Sequence, residues 1–314
     1  MILRPPAVPP GSRIAVVSPA SSANSDRIAR GIETLRALGY EAVASRHAYG
    51  KHPPYFSASA EGRLADLHQA FADPEVKAII CTRGGYGSNY LLPHLDLDLI
   101  RAHPKPFLAC SDLTALQTWL LDHTGLVVFH GPMVAGAFAS GDGVHLPSFT
   151  AALTGSLVSA GPAEGLRVLR PGRACGTLYG GCLSILTASL GTPYAPRTRD
   201  KLLFLEDLGE RPYRIDRMLR QMILAGKFEG VRGFIFGEML DCEFEPGRPD
   251  RLDDVILGVL ADFDVPIAIG LRSGHVSRAN VTLPLGLEAE LLVNNDQSLL
   301  RILEPAVSLS NHAG

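Results

Sequence analysis

The sequence predicts an α/β protein: a largely parallel, doubly wound sheet in the first half and a more strand-rich α/β domain in the second. Two observations support this prediction. In the first half, short apolar runs alternate with stretches of helical periodicity, which is the pattern of β-α-β units. Beyond a segment at 155–172 that carries Gly-Pro and Pro-Gly pairs, apolar runs follow one another more densely, with one clear helical pattern among them.

In the first half, each element is predicted from apolar spacing and from the residues that end it. Strands are predicted at 13–17, 41–44, 76–81 and 106–110, where β-branched and other apolar residues run together. One helix is predicted around Ile28, Ile32 and Leu35 and ends at Gly39. A second is predicted around Leu64, Leu67 and Phe71 and ends at Asp73-Pro74. A third is predicted at about 112–122.

The second half is predicted to begin after a linker at 155–172, so that the domains span 1–154 and 173–314. Strands are predicted there at 201–206, 231–236, 266–269, 281–285 and 288–293, with one helix at about 214–224.

Composition excludes several classes of protein. The net charge is −3 and no Lys/Arg run stands out, so no nucleic-acid partner is expected. The N-terminus has no apolar signal region, and no stretch approaches the roughly 20 apolar residues of a membrane span, so no membrane partner is expected. The five cysteines are scattered, without a C-x-x-C pair, which favours reduced thiols in the cytoplasm over disulfides or a zinc site.

Three residues at the ends of predicted strands could form a hydrolytic triad. Ser111 follows the strand at 106–110, Glu206 ends the strand at 201–206, and His275 follows the strand at 266–269. A serine hydroxyl becomes nucleophilic when an imidazole takes its proton and a carboxylate orients that imidazole. Two of these residues also have a structural alternative: Ser111 as a helix N-cap, and Glu206 as a solvated strand end.

A glycine-rich loop adds to this set. It contains Arg83, Gly84 and Gly85, and its glycines could let backbone N–H groups approach a ligand, while Arg83 could bind a substrate carboxylate or simply lie on the surface. The loop lacks the G-x-G-x-x-G spacing of a dinucleotide site. His130 is the next candidate base after His275, although a structural role is favoured for it.

Several segments, in this order along the chain, resemble the LD-carboxypeptidase family. They are RGGYGSNY at 83–90, KPFLACSDLT at 105–114, FHGPM at 129–133, LFLED at 203–207, PYRIDRML at 212–219, and GH at 274–275 followed by LPLG at 283–286. Members of this family are serine peptidases that trim murein peptides, and the microcin C self-immunity peptidases are relatives. The chain departs from the usual family pattern at Ala109-Cys110, just before the serine.

The resemblance implies a flavodoxin- or Rossmann-like N-terminal domain that carries Ser111 as nucleophile, and a C-terminal domain that carries Glu206 as triad acid and His275 as general base. It also implies an oxyanion hole at Asp112 and the Gly84-Gly85 loop, a murein tetrapeptide substrate that loses its terminal D-alanine, no metal or organic cofactor, and a homodimer. Two alternatives stay open: a microcin-type immunity peptidase, and a two-domain protein that binds a small ligand without chemistry.

The absence of any metal-ligand spacing among the ten histidines leads to a prediction about chelators. We expect EDTA to leave peptidase activity unchanged, because a serine triad needs no metal. Steady-state rates before and after dialysis against EDTA test this. Activity that is lost to EDTA and restored by zinc would indicate a metallopeptidase instead.

Overall fold

The computed structural model describes residues 2–294 and 297–309, which form two sheets with helices packed against them. The strands are β1 (Arg13–Val17), β2 (Glu41–Ala44), β3 (Val76–Cys81), β4 (Phe107–Ala109), β5 (Val128–His130), β6 (Ser159–Ala160), β7 (Arg167–Arg170), β8 (Gly172–Cys182), β9 (Lys201–Glu206), β10 (Gly233–Gly237), β11 (Ile267–Leu271), β12 (Leu283–Leu285), β13 (Glu288–Val293) and β14 (Ser298–Ile302). The α-helices are α1 (Ser25–Ala37), α2 (Ala60–Ala72), α3 (Leu97–Ala102), α4 (Thr114–Thr124), α5 (Leu146–Thr154), α6 (Leu183–Ala188), α7 (Pro212–Leu224) and α8 (Leu252–Val259).

The first sheet has the strand order β2-β1-β3-β4-β5-β12. Strands β1 to β5 are mutually parallel, whereas β12 joins the edge antiparallel to β5. The order of the five parallel strands is that of flavodoxin-like folds, in which ligands bind beyond the carboxyl ends of the strands. The loops after β1, β3 and β4 therefore meet at the edge where a site is expected.

The second sheet has the strand order β6-β14-β13-β8-β9-β10-β11-β7. Its centre, β8 to β11, is parallel, and the flanking strands are antiparallel. Helix α7 covers part of this sheet with a buried face of Ile215, Leu219 and Met222, the spacing of an amphipathic helix. The mixed α/β class and the strand-rich second part predicted from the sequence are confirmed.

Five of the predicted strands have the predicted bounds, namely those at 13–17, 41–44, 76–81, 201–206 and 288–293. The strand predicted at 281–285 is shorter, Leu283–Leu285, and it belongs to the first sheet although it lies in the second half of the chain. The segment at 155–172 is not without regular structure, since β6 and β7 lie within it and pair with β14 and β11. The boundaries at 154 and 173 stay predictions.

The longest strand, β8, is absent from the sequence prediction because glycines lower β-propensity. Two of these glycines are required by close packing. A Cβ on Gly180 would lie 1.9 Å from the carbonyl oxygen of Phe204, and a Cβ on Gly181 would lie 2.6 Å from Oγ1 of Thr114. The missing side chains thus bring β8 against β9 and against the start of α4.

No helix among residues 2–294 and 297–309 is long and apolar enough to cross a membrane. All five cysteines lie in this part of the chain as free thiols, four of them buried and Cys175 exposed.

Candidate active site

Ser111 occupies a sharp turn between β4 and α4. Its φ is +63°, a left-handed conformation that costs a residue with a side chain about 1–3 kcal/mol. The residue opens a 3₁₀ turn, Ser111–Leu113, which leads directly into α4, and its side chain caps neither helix. The N-cap alternative for Ser111 is therefore wrong. The turn has the shape of a nucleophile elbow, which projects a hydroxyl beyond the strand ends.

The hydroxyl of Ser111 meets an imidazole and a carboxylate from the second sheet. Ser111 Oγ lies 3.1 Å from His275 Nε2, and His275 Nδ1 lies 2.8 Å from Glu206 Oε2. The backbone N–H of His275 also donates to Glu206 Oε2 at 3.0 Å. The structure thus brings together the three residues that the sequence singled out, in hydrogen-bond contact and in the order hydroxyl, imidazole, carboxylate.

Glu206 is completely buried at the end of β9, which excludes the solvated strand end as its setting. Two glycines make room for it: a Cβ on Gly237 would lie 2.6 Å from Glu206 Cβ, and a Cβ on Gly274 would lie 2.6 Å from Glu206 Cδ. The second oxygen, Oε1, faces Nε2 of His130 at 3.6 Å. His130 therefore lies beside the carboxylate of Glu206 and not beside Ser111.

The electrostatics of the pair favour an ionised Glu206. Burial raises the pKa of Glu206, but the positive charge of His275 and the contacts with both imidazoles outweigh burial and hold that pKa below its ordinary value. Burial lowers the pKa of His275, but the charge and hydrogen bond of Glu206 outweigh it and hold that pKa above its ordinary value. Each group thus stabilises the charged form of the other.

The loop after β3 is fastened to the elbow through Asp112. The N–H of Ser88 donates to Asp112 Oδ2 at 2.8 Å, and the Ser88 hydroxyl donates to the Asp112 carbonyl at 2.7 Å. Gly84 packs so closely that a Cβ there would lie 2.7 Å from Ser111 Cβ and 2.9 Å from the Asp112 nitrogen. The backbone of Gly84 therefore lies directly against the candidate nucleophile.

Gly85 and Arg83 lie farther out on the same loop, and both are exposed. Gly85 has a φ of +92°, and a Cβ there would lie 2.5 Å from Ser21 Oγ. The guanidinium of Arg83 makes one contact of 3.5 Å, to the carbonyl of Ser22. This leaves Arg83 available to a ligand.

Two arginines near the site were not singled out from the sequence. Arg63 is buried, and its Nη1 donates to the carbonyls of Pro19 and Gly87, both at 2.7 Å, so that it ties the loops after β1 and β3 together. Arg278 is exposed, and it has no hydrogen-bond or ion-pair partner in the described part of the chain. Its position three residues after His275 was the available signal.

A cavity of about 280 Å³ opens beside the triad. Its wall includes Cys110, His275 and three charged side chains, Arg27, Arg278 and Asp142, so it borders the imidazole and carries two cations and one carboxylate. Arg27 is engaged with the backbone carbonyls of Ala135 and Gly136, whereas Arg278 has no such partner among the described residues. The cavity can therefore accept a small anionic group next to His275.

The described ranges contain no group of three or more His, Cys, Asp or Glu side chains that could hold a metal ion. The chemistry that this geometry supports directly is proton transfer from Ser111 to His275, stabilised by Glu206.

Comparison with known proteins identifies related sequences over most of the chain. Residues 14–131 match the LD-carboxypeptidase N-terminal domain, and residues 175–291 match the LD-carboxypeptidase C-terminal domain. The chain is 35% identical to the probable murein peptide carboxypeptidase of Bacillus subtilis over 97% of this chain and 95% of that protein. It is 31% identical to the murein tetrapeptide carboxypeptidase of Pseudomonas aeruginosa over 90% of this chain and 94% of that protein.

A solved structure, that of the microcin C7 self-immunity protein MccF in complex with aspartyl sulfamoyl adenosine, has a similar fold. It superposes with a TM-score of 0.86 and 28% identity, covering 98% of this chain and 100% of that one.

The opposed pKa shifts of Glu206 and His275 lead to a prediction about pH. His275 accepts a proton only when it is neutral, so modification of Ser111 by a fluorophosphonate should slow as the pH falls through the raised pKa of His275, with a midpoint above about 6.5. In Glu206→Gln the negative charge is lost while burial remains. Both the midpoint and the rate constant should then fall, the latter by roughly 10³–10⁴-fold.

Asp207→Asn is the matched control, since Asp207 is the neighbouring buried carboxylate and accepts from the N–H of Ser184 instead of from an imidazole. We expect its midpoint to fall by less than that of Glu206→Gln, because Asp207 raises the pKa of His275 through its charge alone, without a hydrogen bond to the ring. A midpoint that is the same in Glu206→Gln and in the wild type would contradict the coupling of Glu206 to His275.

Proposed function

The chain belongs to the LD-carboxypeptidase family, and from this premise we propose that it is a serine peptidase that releases the terminal D-alanine from murein tetrapeptide. The observation that carries this proposal is the 3.1 Å contact between Ser111 Oγ and His275 Nε2, backed by the buried carboxylate of Glu206. The names of the related carboxypeptidases supply the substrate class.

In the proposed reaction, His275 takes the proton of Ser111 as the hydroxyl oxygen attacks the carbonyl between diaminopimelate and D-alanine. Glu206 orients the ring and stabilises the imidazolium that forms. Backbone N–H groups of Asp112 and of the Gly84-Gly85 loop donate to the negative oxygen of the tetrahedral intermediate. His275 then protonates the departing amine, and water releases the acyl group from Ser111.

The leaving D-alanine carries a carboxylate that needs a cation. Because its amine takes a proton from His275, the leaving group lies on the His275 side of Ser111, where Arg278 lines the cavity. Arg83, which the sequence proposes for this role, lies on the loop after β3 and does not line that cavity. We assign the terminal carboxylate to Arg278, and Arg83 to the remainder of the peptide.

A second candidate function is that of a microcin-type immunity peptidase, which is favoured by the fold similarity to MccF with its bound aminoacyl sulfamoyl nucleoside. The same triad would serve either substrate. The third possibility, a binding protein without chemistry, is disfavoured because the hydroxyl, imidazole and carboxylate are already in hydrogen-bond contact.

We further propose that the enzyme acts in the cytoplasm as a homodimer, in peptidoglycan recycling. Five unpaired thiols agree with a reducing compartment. Light scattering of the purified protein tests the dimer.

The proposal predicts that Ser111→Ala lowers kcat on murein tetrapeptide by roughly 10⁴-fold or more while the protein stays folded. Mass spectrometry of the products and circular dichroism of the variant measure both quantities. Wild-type cleavage of an aminoacyl sulfamoyl adenosine but not of tetrapeptide would move the chain to the immunity peptidases. Near-normal turnover by the variant would remove Ser111 from its role.

The assignment of Arg278 to the terminal carboxylate predicts that a variant at this position loses selectivity for peptides with a free carboxyl terminus. Wild-type enzyme should prefer a tetrapeptide with a free terminal carboxylate over the same peptide with a terminal amide. Arg278→Met should reduce that preference by about 10- to 100-fold, the contribution of a charge-assisted hydrogen bond. Arg83→Met should keep the preference. If the preference is lost in Arg83→Met instead, the terminal carboxylate belongs to Arg83.

A further inference from the structure

A second histidine contacts the triad carboxylate from the opposite side. His130 ends β5 in the first sheet and is completely buried, with Nε2 3.6 Å from Oε1 of Glu206. Within the described residues, neither of these two buried atoms has a hydrogen-bond partner. His275 meets only Oε2. The carboxylate thus lies between two imidazoles, one on each oxygen.

The other nitrogen of His130 determines which atom carries the ring proton. Nδ1 lies 3.1 Å from Oγ of Ser273, which is also buried. If the serine hydroxyl donates to Nδ1, the ring N–H is on Nε2 and faces the carboxylate. The opposite tautomer would point a nitrogen lone pair at an anionic oxygen in a dry interior, which is unfavourable. The geometry therefore selects the tautomer with the proton on Nε2.

The surroundings hold the ring in this orientation. Phe204 packs edge-to-face against it, with ring centroids 5.1 Å apart. Gly274 leaves the space between the two groups, because a Cβ there would lie 2.7 Å from Cε1 of His130. The ring and the carboxylate are therefore confined together.

We propose that His130 is a positioning residue of the triad: its Nε2–H, oriented by Ser273, holds Oε1 of Glu206 so that Oε2 stays aligned with His275. At 3.6 Å the contact is longer than a hydrogen bond, and such contacts often tighten only when substrate is bound. His130 is fully buried and does not line the cavity beside His275. This role rests on the proposed function, since it describes how the proposed triad is kept in register.

The other titratable groups around Glu206 are Asp207 and the thiols of Cys110 and Cys182. Burial raises the pKa of each of these three groups. Both thiols therefore stay neutral across the range in which His275 titrates. Asp207 lies beside Glu206 in every variant proposed below, so its effect cancels in their comparison.

The test uses two variants of nearly equal shape. His130→Gln keeps an N–H donor that can reach Oε1, whereas His130→Met fills the same space without one. We expect His130→Met to lower kcat by about 10- to 100-fold with KM unchanged, and to move the acid limb of kcat/KM to lower pH, because a displaced Oε2 of Glu206 stabilises the charged form of His275 less well. His130→Gln should restore most of the lost kcat and most of the shift in the acid limb. Ser273→Ala should change kcat and the acid limb in the same direction as His130→Met.

Equal kinetics of the Gln and Met variants, with the wild-type pH midpoint, would overturn the proposal and leave His130 a packing residue. If His130→Met fails to fold, Ser273→Ala takes its place in the comparison. Equal kinetics of His130→Gln and Ser273→Ala, with the wild-type pH midpoint, would then overturn the proposal. Fluorophosphonate labelling of Ser111 across pH provides a second readout that needs no natural substrate. A shifted labelling profile in a chain that does not cleave tetrapeptide would retain the role of His130 and reject the proposed function.

Discussion

The constraint on which the rest of the site depends is the complete burial of the Glu206 carboxylate. An ionised carboxylate in a protein interior is strongly unfavourable unless it is paired and hydrogen-bonded. Here the pairing comes from both halves of the fold: His275 follows β11 of the second sheet, and His130 ends β5 of the first. The charge therefore lies where the carboxyl ends of the two sheets face each other. The same charge also holds the pKa of His275 above its ordinary value.

The backbone of the turn at Ser111 is also strained, and the contacts around this turn offset that strain. Ser111 holds a positive φ because its neighbours fix the turn from both sides. Asp112 binds Ser88 in the loop after β3, and Thr114 accepts the backbone N–H of Cys182 at the end of β8. Ser111 is thus fastened to both sheets within four residues of chain, which places its hydroxyl against an imidazole that is 164 residues away in sequence. Such pre-organisation is what an acyl-transfer site requires.

The sequence alone predicted the elements whose apolar pattern is strong, including five strands to the residue. It also singled out Ser111, Glu206 and His275, which the structure brings into hydrogen-bond contact. Strand β8 was not predicted, because the glycines that permit its close contact with Phe204 and Thr114 also lower the β-propensity of this segment. The sequence assigned β12 no partner in the first sheet, since the pairing of Leu283–Leu285 with β5 is set by tertiary contacts between distant segments. The position of His130 beside Glu206 could not be predicted from the sequence either, because it depends on how the two sheets pack together.

The tautomer and pKa of His275 test most directly whether the buried carboxylate of Glu206 organises the site. Nitrogen-15 NMR of protein labelled at histidine, with resonances assigned through His275 and His130 variants, measures both quantities. We expect that neutral His275 carries its proton on Nδ1, facing Glu206, and that Nε2 titrates with a pKa above the ordinary value of about 6.5. A neutral His275 protonated on Nε2, or a pKa below that value, would contradict the claim that the buried carboxylate organises the site.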